Sequence, residues 1–411
     1  MGKFIRNVSD RASVVASDDL WLEGAALQQL QTTSLLAGMR RVVGLPDLHP
    51  GRGYPVGAAF FSAGRFYPAL CGGDIGCGVS LWQTGLLAGK VKLDKLDKQI
   101  GNLDAPPDDA ELARLAELQC ALDADRDGAV PLPGGLEGAL ASLERELAAA
   151  GLDAGSMHAL GTIGLGNHFV ELQSVSAVLQ PELFDGAGLQ AKRLQLMVHS
   201  GSRGLGQIVL RGHVDRHSHA GLEQGTPDAL HYLRQHDAAL SYAHLNRRLI
   251  ALRMLLRLRS EGAMVLDVDH NLVTPAVIDG EAGWLHRKGA NPSDRGMVML
   301  PGSRGDYSYL LQPLPAPDSV SLQSLAHGAG RKWIRGDCKE RLQRKATPAQ
   351  LARTTFGGRV ICEDKALIYE EAPQAYKDVG SVLDSMQGAG LVEAVARFQP
   401  LLTYKTRGEC C

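Results

Sequence analysis

Apolar and polar positions change their period several times along the chain. Over residues 40–90 short apolar runs are broken by glycine turns (RRVVGLPDLH, YPVGAAFFS, GVSLWQT), which predicts strands. From about 104 to 150 the period shifts to 3.6. DDAELARLAELQCALDAD and LEGALASLERELAAAG, separated by the breaker PLPGG, read as two helices inserted between catalytic strands. Residues 160–206 return to strand and glycine loop. A long helix is expected from Asp237 to Arg259, with Leu245, Leu249, Leu252 and Leu256 as its buried stripe and Arg247, Arg248, Arg253, Arg257 and Arg259 on a solvated face. MVLDVDH and MVMLPGS read as further strands. Thr347-Pro348 opens a helix with a capping residue followed by proline. A last helix is expected over about 378–398, stopping at Pro400. No internal repeat appears, and the fold class is mixed α/β.

Composition narrows the picture without deciding it. The 411 residues, 45% hydrophobic and 21% charged, suit two or three ordinary domains or one large α/β unit. With 48 glycines and only 5% aromatics, a loop-rich catalytic fold is the better match. A net charge of −2 announces no polyanion partner, so any nucleic acid has to be met by local clusters. MGKFIRNVSD lacks the apolar core of a secretory signal, and no run reaches membrane-spanning length. The seven cysteines are scattered and form no CxxC pair, which points to reduced thiols in a cytoplasmic protein. Cys410 and Cys411 are vicinal and poorly placed for a relaxed disulfide.

The candidate chemistry lies in short glycine-flanked segments: GGDIGCGVS with Asp74 and Cys77, GNHFVEL with His168, VHSGSRG with His199, LDVDHNLV with His270, and SLAHGAGRK with His327. A thiolate, a carboxylate and neutral imidazoles are ligands for Mn²⁺, Zn²⁺ or Fe²⁺. Five candidate ligands exceed one tetrahedral site, and a thiolate can bridge two ions, so a two-metal site is expected. His327 then serves as something other than a ligand. A lone cysteine is ordinarily a buried structural residue, and a lone histidine in a strand is ordinarily structural too; comparable contexts around all of them favour ligation. The loop after His199, with Arg203, resembles an oxyanion clamp but is neither a Walker A nor a dinucleotide fingerprint. Arg331, Lys332, Arg335, Lys339, Arg341, Arg344 and Lys345 form the densest basic cluster. Its adjacency to the HGAG turn favours polyanion contact over a solvated face.

PDLHPGRGYPVG, DxxCG, GNHFVE, HSGSRGLG, HRKGA and HGAGR, in that order from about Pro46 to Lys405, together resemble the RtcB-type RNA ligases. The resemblance implies an RtcB-like fold, one catalytic unit over residues 1–411 with a helical insertion at about 104–150 and a short tail at 406–411. It also implies an activity: joining RNA 2′,3′-cyclic phosphate or 3′-phosphate ends to 5′-hydroxyl ends, in RNA repair or tRNA splicing, with GTP and two Mn²⁺ ions. By the same resemblance Asp74, Cys77, His168, His199 and His270 are metal ligands. Cys77 bridges, Asp74 and His168 hold one ion, and His199 and His270 hold the other. His327 is the guanylylated histidine, attacking the α-phosphorus of GTP. Asn167, Glu171, Ser303, Gly328, Ala329, Gly330 and Lys405 hold the guanylate. Arg203 and Arg331 are needed for activity, and a protein activator is a further partner in some relatives.

The chain departs from the family pattern at Ser80, where arginine is more usual, at Ile334 in KWIR, and at Arg304 and Asp306 in PGSRGD. It also continues past Lys405 as TRGECC. A divergent subgroup is expected. The competing readings are a metal phosphoesterase that never forms a nucleotidyl-histidine, and an inactive RNA-binding paralogue.

Overall fold

The computed structural model describes residues 4–124 and 132–408. Pro131 of the expected breaker and the Cys410–Cys411 pair lie outside the described residues. Two sheets dominate the mixed α/β architecture. A six-stranded sheet runs in the order Ile5–Ser9, Ala12–Val15, Met39–His49, Val56–Ser62, Glu281–Lys288, Asn271–Ile278. A larger sheet runs Gly262–Asp269, Gly78–Leu87, Arg193–Ser200, Phe169–Val178, Val392–Thr406, Ser308–Pro313, Val298–Leu300. Arg359–Cys362 pairs in parallel beside Val392–Thr406.

The register of the larger sheet decides where the chemistry collects. Its first five strands are antiparallel neighbours, with Asp269 opposite Gly78, Gly78 opposite Ser200, His199 opposite Phe169 and Val170 opposite Tyr404. Chain direction alternates across them, so the start of one strand always lies beside the end of the next. Cys77, His168, His199, His270 and Lys405, distant in sequence, are therefore delivered to one rim.

Alternation fills the two faces of that sheet. Trp82, Val170, Leu172, Leu196 and Val198 pack against Ile250, Ala251, Met254 and Leu255 of the long helix. Val79, Leu81, Met197 and Phe398 point the other way, onto Phe184 and Leu189. The helices Asp109–Ala124 and Gly135–Ala149 bury Leu115, Leu136, Leu143 and Leu147 in a cluster shared with Tyr242 and Leu249 of the long helix.

Three expectations need correction. The long helix spans Pro227–Leu258, starting well before Asp237: Thr226 caps it through its hydroxyl and Pro227 occupies the first turn. Arg247 and Arg253 do not face solvent but are buried, because the middle of this helix is covered on all sides. The last helix covers only Val379–Gly388. Gly390, at φ +73°, turns the chain, and Val392–Thr406 is a strand that runs through Pro400. The pairing register shifts between Pro400 and Leu402, so the missing N–H falls at a bulge rather than in a regular ladder.

Candidate active site

Five of the predicted site residues meet at the rim of the larger sheet. Cys77 Sγ lies 3.4 Å from His168 Nε2 and 3.3 Å from His199 Nε2. His168 Nε2 is 2.9 Å from Asp74 Oδ2, and His199 Nε2 is 3.4 Å from His270 Nε2. The donor atoms fall into two triads, Asp74–Cys77–His168 and Cys77–His199–His270, which share the thiol. Separations of this size between atoms that are mostly hydrogen-bond acceptors suit cations seated among them. Burial holds the His199 and His270 pKa values well below 6.5, so both imidazoles are neutral and able to ligate. Burial and then Asp74 push the Cys77 thiol well up, so a thiolate here calls for a cation in contact. Burial opposes charge on Asp74, yet His168 beside it keeps its carboxyl below the usual range.

The backbone sets these positions. The His270 N–H donates to the Cys77 carbonyl (2.8 Å), the Gly76 N–H to the Asn271 carbonyl (2.8 Å), and Asn271 Nδ2 to the Asp74 carbonyl (3.0 Å). Gly201 must be glycine because a Cβ there would collide with the Asp74 carboxylate. Gly164, at φ +97°, leaves room for the Arg203 guanidinium and the His168 ring.

Arg247 ties three of these segments together from below. It is fully buried (0% exposed) and donates to the carbonyls of Gly76 (2.6 Å) and Ser200 (3.1 Å), the neighbours of Cys77 and His199. Its Nη2 donates to Asp269 (2.7 Å), the residue before His270, and its Nε to Asp267.

His327 stands beside the second triad, its ring centroid 4.7 Å from that of His270. It follows the short strand Ser324–Ala326. Asp47 Oδ2 accepts from the His327 main-chain N–H (3.1 Å) and lies 2.6 Å from Nδ1. A carboxylate only accepts, so the ring proton belongs on Nδ1 and the lone pair on Nε2. Asp47 is buried, and its strand is pinned by Lys377 Nζ, which donates to the carbonyls of Pro46 (3.0 Å) and Leu48 (2.8 Å).

One cavity of about 940 Å³ opens above both features. Asp74, His168, His199 and His327 line it, together with Asn167, Glu171, Ser303, Gly328, Ala329, Gly330, Lys405, Arg203 and Arg331. Cys77 and His270 lie buried beneath it. Burial raises the Glu171 pKa to about 7, although Thr403 and Gln173 hydrogen-bond to it. The tail does not displace Lys405: Thr406 Oγ1 (2.8 Å) and Arg407 N (2.7 Å) donate to Asp104 and anchor the strand end.

Sequence reasoning missed three members of this site. Asp47 was inside PDLHPG but had no role assigned; an acidic residue two before a histidine in that motif was the available signal. Arg247 was read as surface. Glu371 carried no signal, yet it is buried and receives Arg331 Nη1 (3.1 Å), Arg335, Lys405 Nζ (3.2 Å) and the Tyr376 hydroxyl (2.6 Å). Burial opposes its charge, but Lys405, Arg335 and Arg331 hold its pKa at about 2. Two cations of the expected polyanion cluster, Arg331 and Arg335, are thus engaged by a carboxylate inside the protein. Arg304 is also internal, donating to the Ile368 carbonyl (2.8 Å).

Residues 28–406 match the family described as tRNA-splicing ligase RtcB. The chain is 51% identical to the RNA-splicing ligase RtcB2 of Escherichia coli (strain ATCC 25922), over 99% of each sequence. It is 31% identical to the tRNA-splicing ligase RtcB of Nanoarchaeum equitans, over 95% of this chain and 94% of that one. With the RNA-splicing ligase RtcB of Mycobacterium tuberculosis it shares 29% identity over 91% of this chain and 99% of that one. No helix among the described residues is long and apolar enough to cross a membrane.

Proposed function

The chain belongs to the tRNA-splicing ligase RtcB family, and on that premise we propose that it is an RNA ligase that works through a guanylylated His327. Its substrates are RNA ends bearing a 2′,3′-cyclic phosphate or 3′-phosphate and ends bearing a 5′-hydroxyl, with GTP as the energy source. The observation that carries the reading is the placement of His327: oriented by Asp47, beside His270, on the wall of the cavity that Asp74, His168 and His199 also line.

The donor set suits two divalent cations. Thiol, carboxylate and neutral imidazoles converge, and the second ring nitrogens of His168 and His270 are buried without a protein partner. Asp74, His168 and Cys77 would hold one Mn²⁺ and His199, His270 and Cys77 the other. When bound, the ions would neutralise phosphate charge around the reacting centre.

His327 Nε2 donates its lone pair to the α-phosphorus of GTP; the bond to pyrophosphate breaks and pyrophosphate leaves with the electron pair. The imidazolium so formed keeps its Nδ1 proton against Asp47, which stabilises the positive ring. A 3′-phosphate oxygen of the RNA then attacks the same phosphorus, and His327 departs neutral. The 5′-hydroxyl of the second RNA attacks the activated 3′-phosphate and expels GMP. A cyclic phosphate is first opened by water. Asn167, Glu171, Ser303, the 328–330 turn and Lys405 would hold the guanylate, with Arg203 near its phosphates, while Arg331, held by Glu371 and the Glu370 and Trp333 carbonyls, would support the wall of the site. Helices 109–124 and 135–149 share their apolar cluster with the long helix, which supports one catalytic unit with a helical insertion.

The reading is tested by intact mass after incubation with GTP and Mn²⁺. An acid-labile guanylyl adduct is expected, absent when the metal is chelated. Metal-loaded protein that never acquires the adduct would turn the assignment toward a phosphoesterase, an inactive RNA binder or dependence on an activator. Asp47→Asn offers a finer check. An amide can donate to Nδ1 and so favours the tautomer with the proton on Nε2, which masks the nucleophile. Adduct formation should slow on the order of 10²-fold, measured by single-turnover mass, and an unchanged rate would remove Asp47 from the mechanism.

A further inference from the structure

A second cleft, about 580 Å³, opens off the catalytic cavity and shares Glu23, Lys332, Trp333 and Ile334 with it. Only four tryptophans occur in the chain, and two of them, Trp21 and Trp333, border this one cleft. Trp21 is 53% exposed and Ile334 67% exposed, and both line this cleft. Trp333 is half-buried, with the Arg341 guanidinium 5.2 Å from its ring centroid. Ile334 is also where the sequence departs from its family's pattern after the HGAGR motif.

We infer that this cleft receives a nucleobase of the RNA strand next to the end held at His327, stacked on Trp21 and Ile334. The inference rests on RNA being the substrate, as proposed above. Continuity chooses the occupant: the cleft joins the cavity that His327 lines, and Ile334 borders both. Charge chooses the part of the strand. Asp19, Glu23, Asp337 and Asp378 on the cleft wall repel phosphate but accept hydrogen bonds from the N–H groups of a base. Lys332 at its border is the group suited to an adjoining phosphate, since Arg341 lies over Trp333 and faces Asp337 (3.6 Å), and Lys377 Nζ is held by the Pro46 and Leu48 carbonyls. Stacking on exposed apolar side chains is sequence-tolerant, and each of the four bases carries an N–H that can donate to a carboxylate, so little base preference is expected.

The test is fluorescence anisotropy of the full-length protein with a labelled RNA oligonucleotide ending in a 3′-phosphate, without GTP. Trp21→Ala, an exposed substitution that spares the core, should raise Kd about tenfold, and Ile334→Ser should act in the same direction. An oligonucleotide made abasic at one of the two terminal nucleotides should bind the unsubstituted protein more weakly by a similar factor, with little further loss in Trp21→Ala. Equal Kd values for Trp21→Ala and the unsubstituted protein, or losses that simply multiply, would overturn the inference. A Trp21→Ala change that alters sedimentation but not Kd would overturn it in favour of a contact between copies of the chain. Self-guanylylation, read by mass in parallel, should survive Trp21→Ala. If the unsubstituted protein forms no adduct, the ligase reading fails on its own while the anisotropy still decides the base subsite.

Discussion

His327→Ala takes up no guanylyl group from GTP, and ligation of RNA 3′-phosphate to 5′-hydroxyl ends falls by roughly 10⁴-fold or more, the scale of losing a covalent nucleophile. The neighbourhood of His327 explains why no other side chain substitutes. His270 and His199 direct their Nε2 atoms toward each other and toward Cys77, so their lone pairs lie within the ligand cluster. His49, on the same strand as Asp47, has its Nδ1 on the Asp47 carbonyl, and burial depresses its pKa to about 4. Only His327 has one nitrogen fixed by an acceptor at 2.6 Å and a ring on the cavity wall. Because the final step does not use the histidine, His327→Ala should still seal RNA supplied with its 3′-phosphate already guanylylated. An adduct on the variant, or ligation from GTP at a normal rate, would move the nucleophile from His327 to another side chain. The fold is expected to survive, since Asp47 Oδ2 keeps the main-chain N–H of residue 327.

The ligand segments were legible in sequence because each lies at or next to a strand end, most of them flanked by glycine, and strand ends are what an alternating antiparallel sheet gathers on one rim. Asp74, Cys77, His168, His199 and His270 carried their own chemistry and needed only convergence, which the sheet register supplies. Asp47 was harder, since its role exists only through a contact across 280 residues of chain. Glu371 illustrates a different limit. A carboxylate flanked by Glu370 reads as surface, and only folding brings Arg331, Arg335 and Lys405 onto it. The first half of the strand Val392–Thr406, up to about residue 398, was read as helix, and VEAVARF is indeed rich in helix formers; sheet pairing on both sides overrides that weak preference.

Arg247 was misread for a related reason, and its replacement should be the most damaging change away from the reacting atoms. Helical periodicity reports which positions are apolar, so an arginine at a covered position looks the same as one facing water. Here the guanidinium is wholly buried and satisfies two carbonyls and two carboxylates at once. In Arg247→Met the side chain still fills space, but Asp269, which is nearly buried, loses a partner, and the Gly76 and Ser200 carbonyls lose their donors. Removing one member of such a buried pair costs about 3–5 kcal/mol, read as a lower midpoint in urea unfolding. The second consequence is specific to position. Gly76, Ser200 and Asp269 each adjoin a ligand, so loosening them should weaken Mn²⁺ binding roughly 10–100-fold, the usual scale for a lost outer-shell support, measured by calorimetric titration under conditions where the variant is folded. Arg247→Lys keeps one charge but cannot reach all four acceptors, and should fall between the two. Loss of stability with Mn²⁺ affinity unchanged would make Arg247 a fold residue only; loss of both ties the helix to the reactivity of the rim it supports.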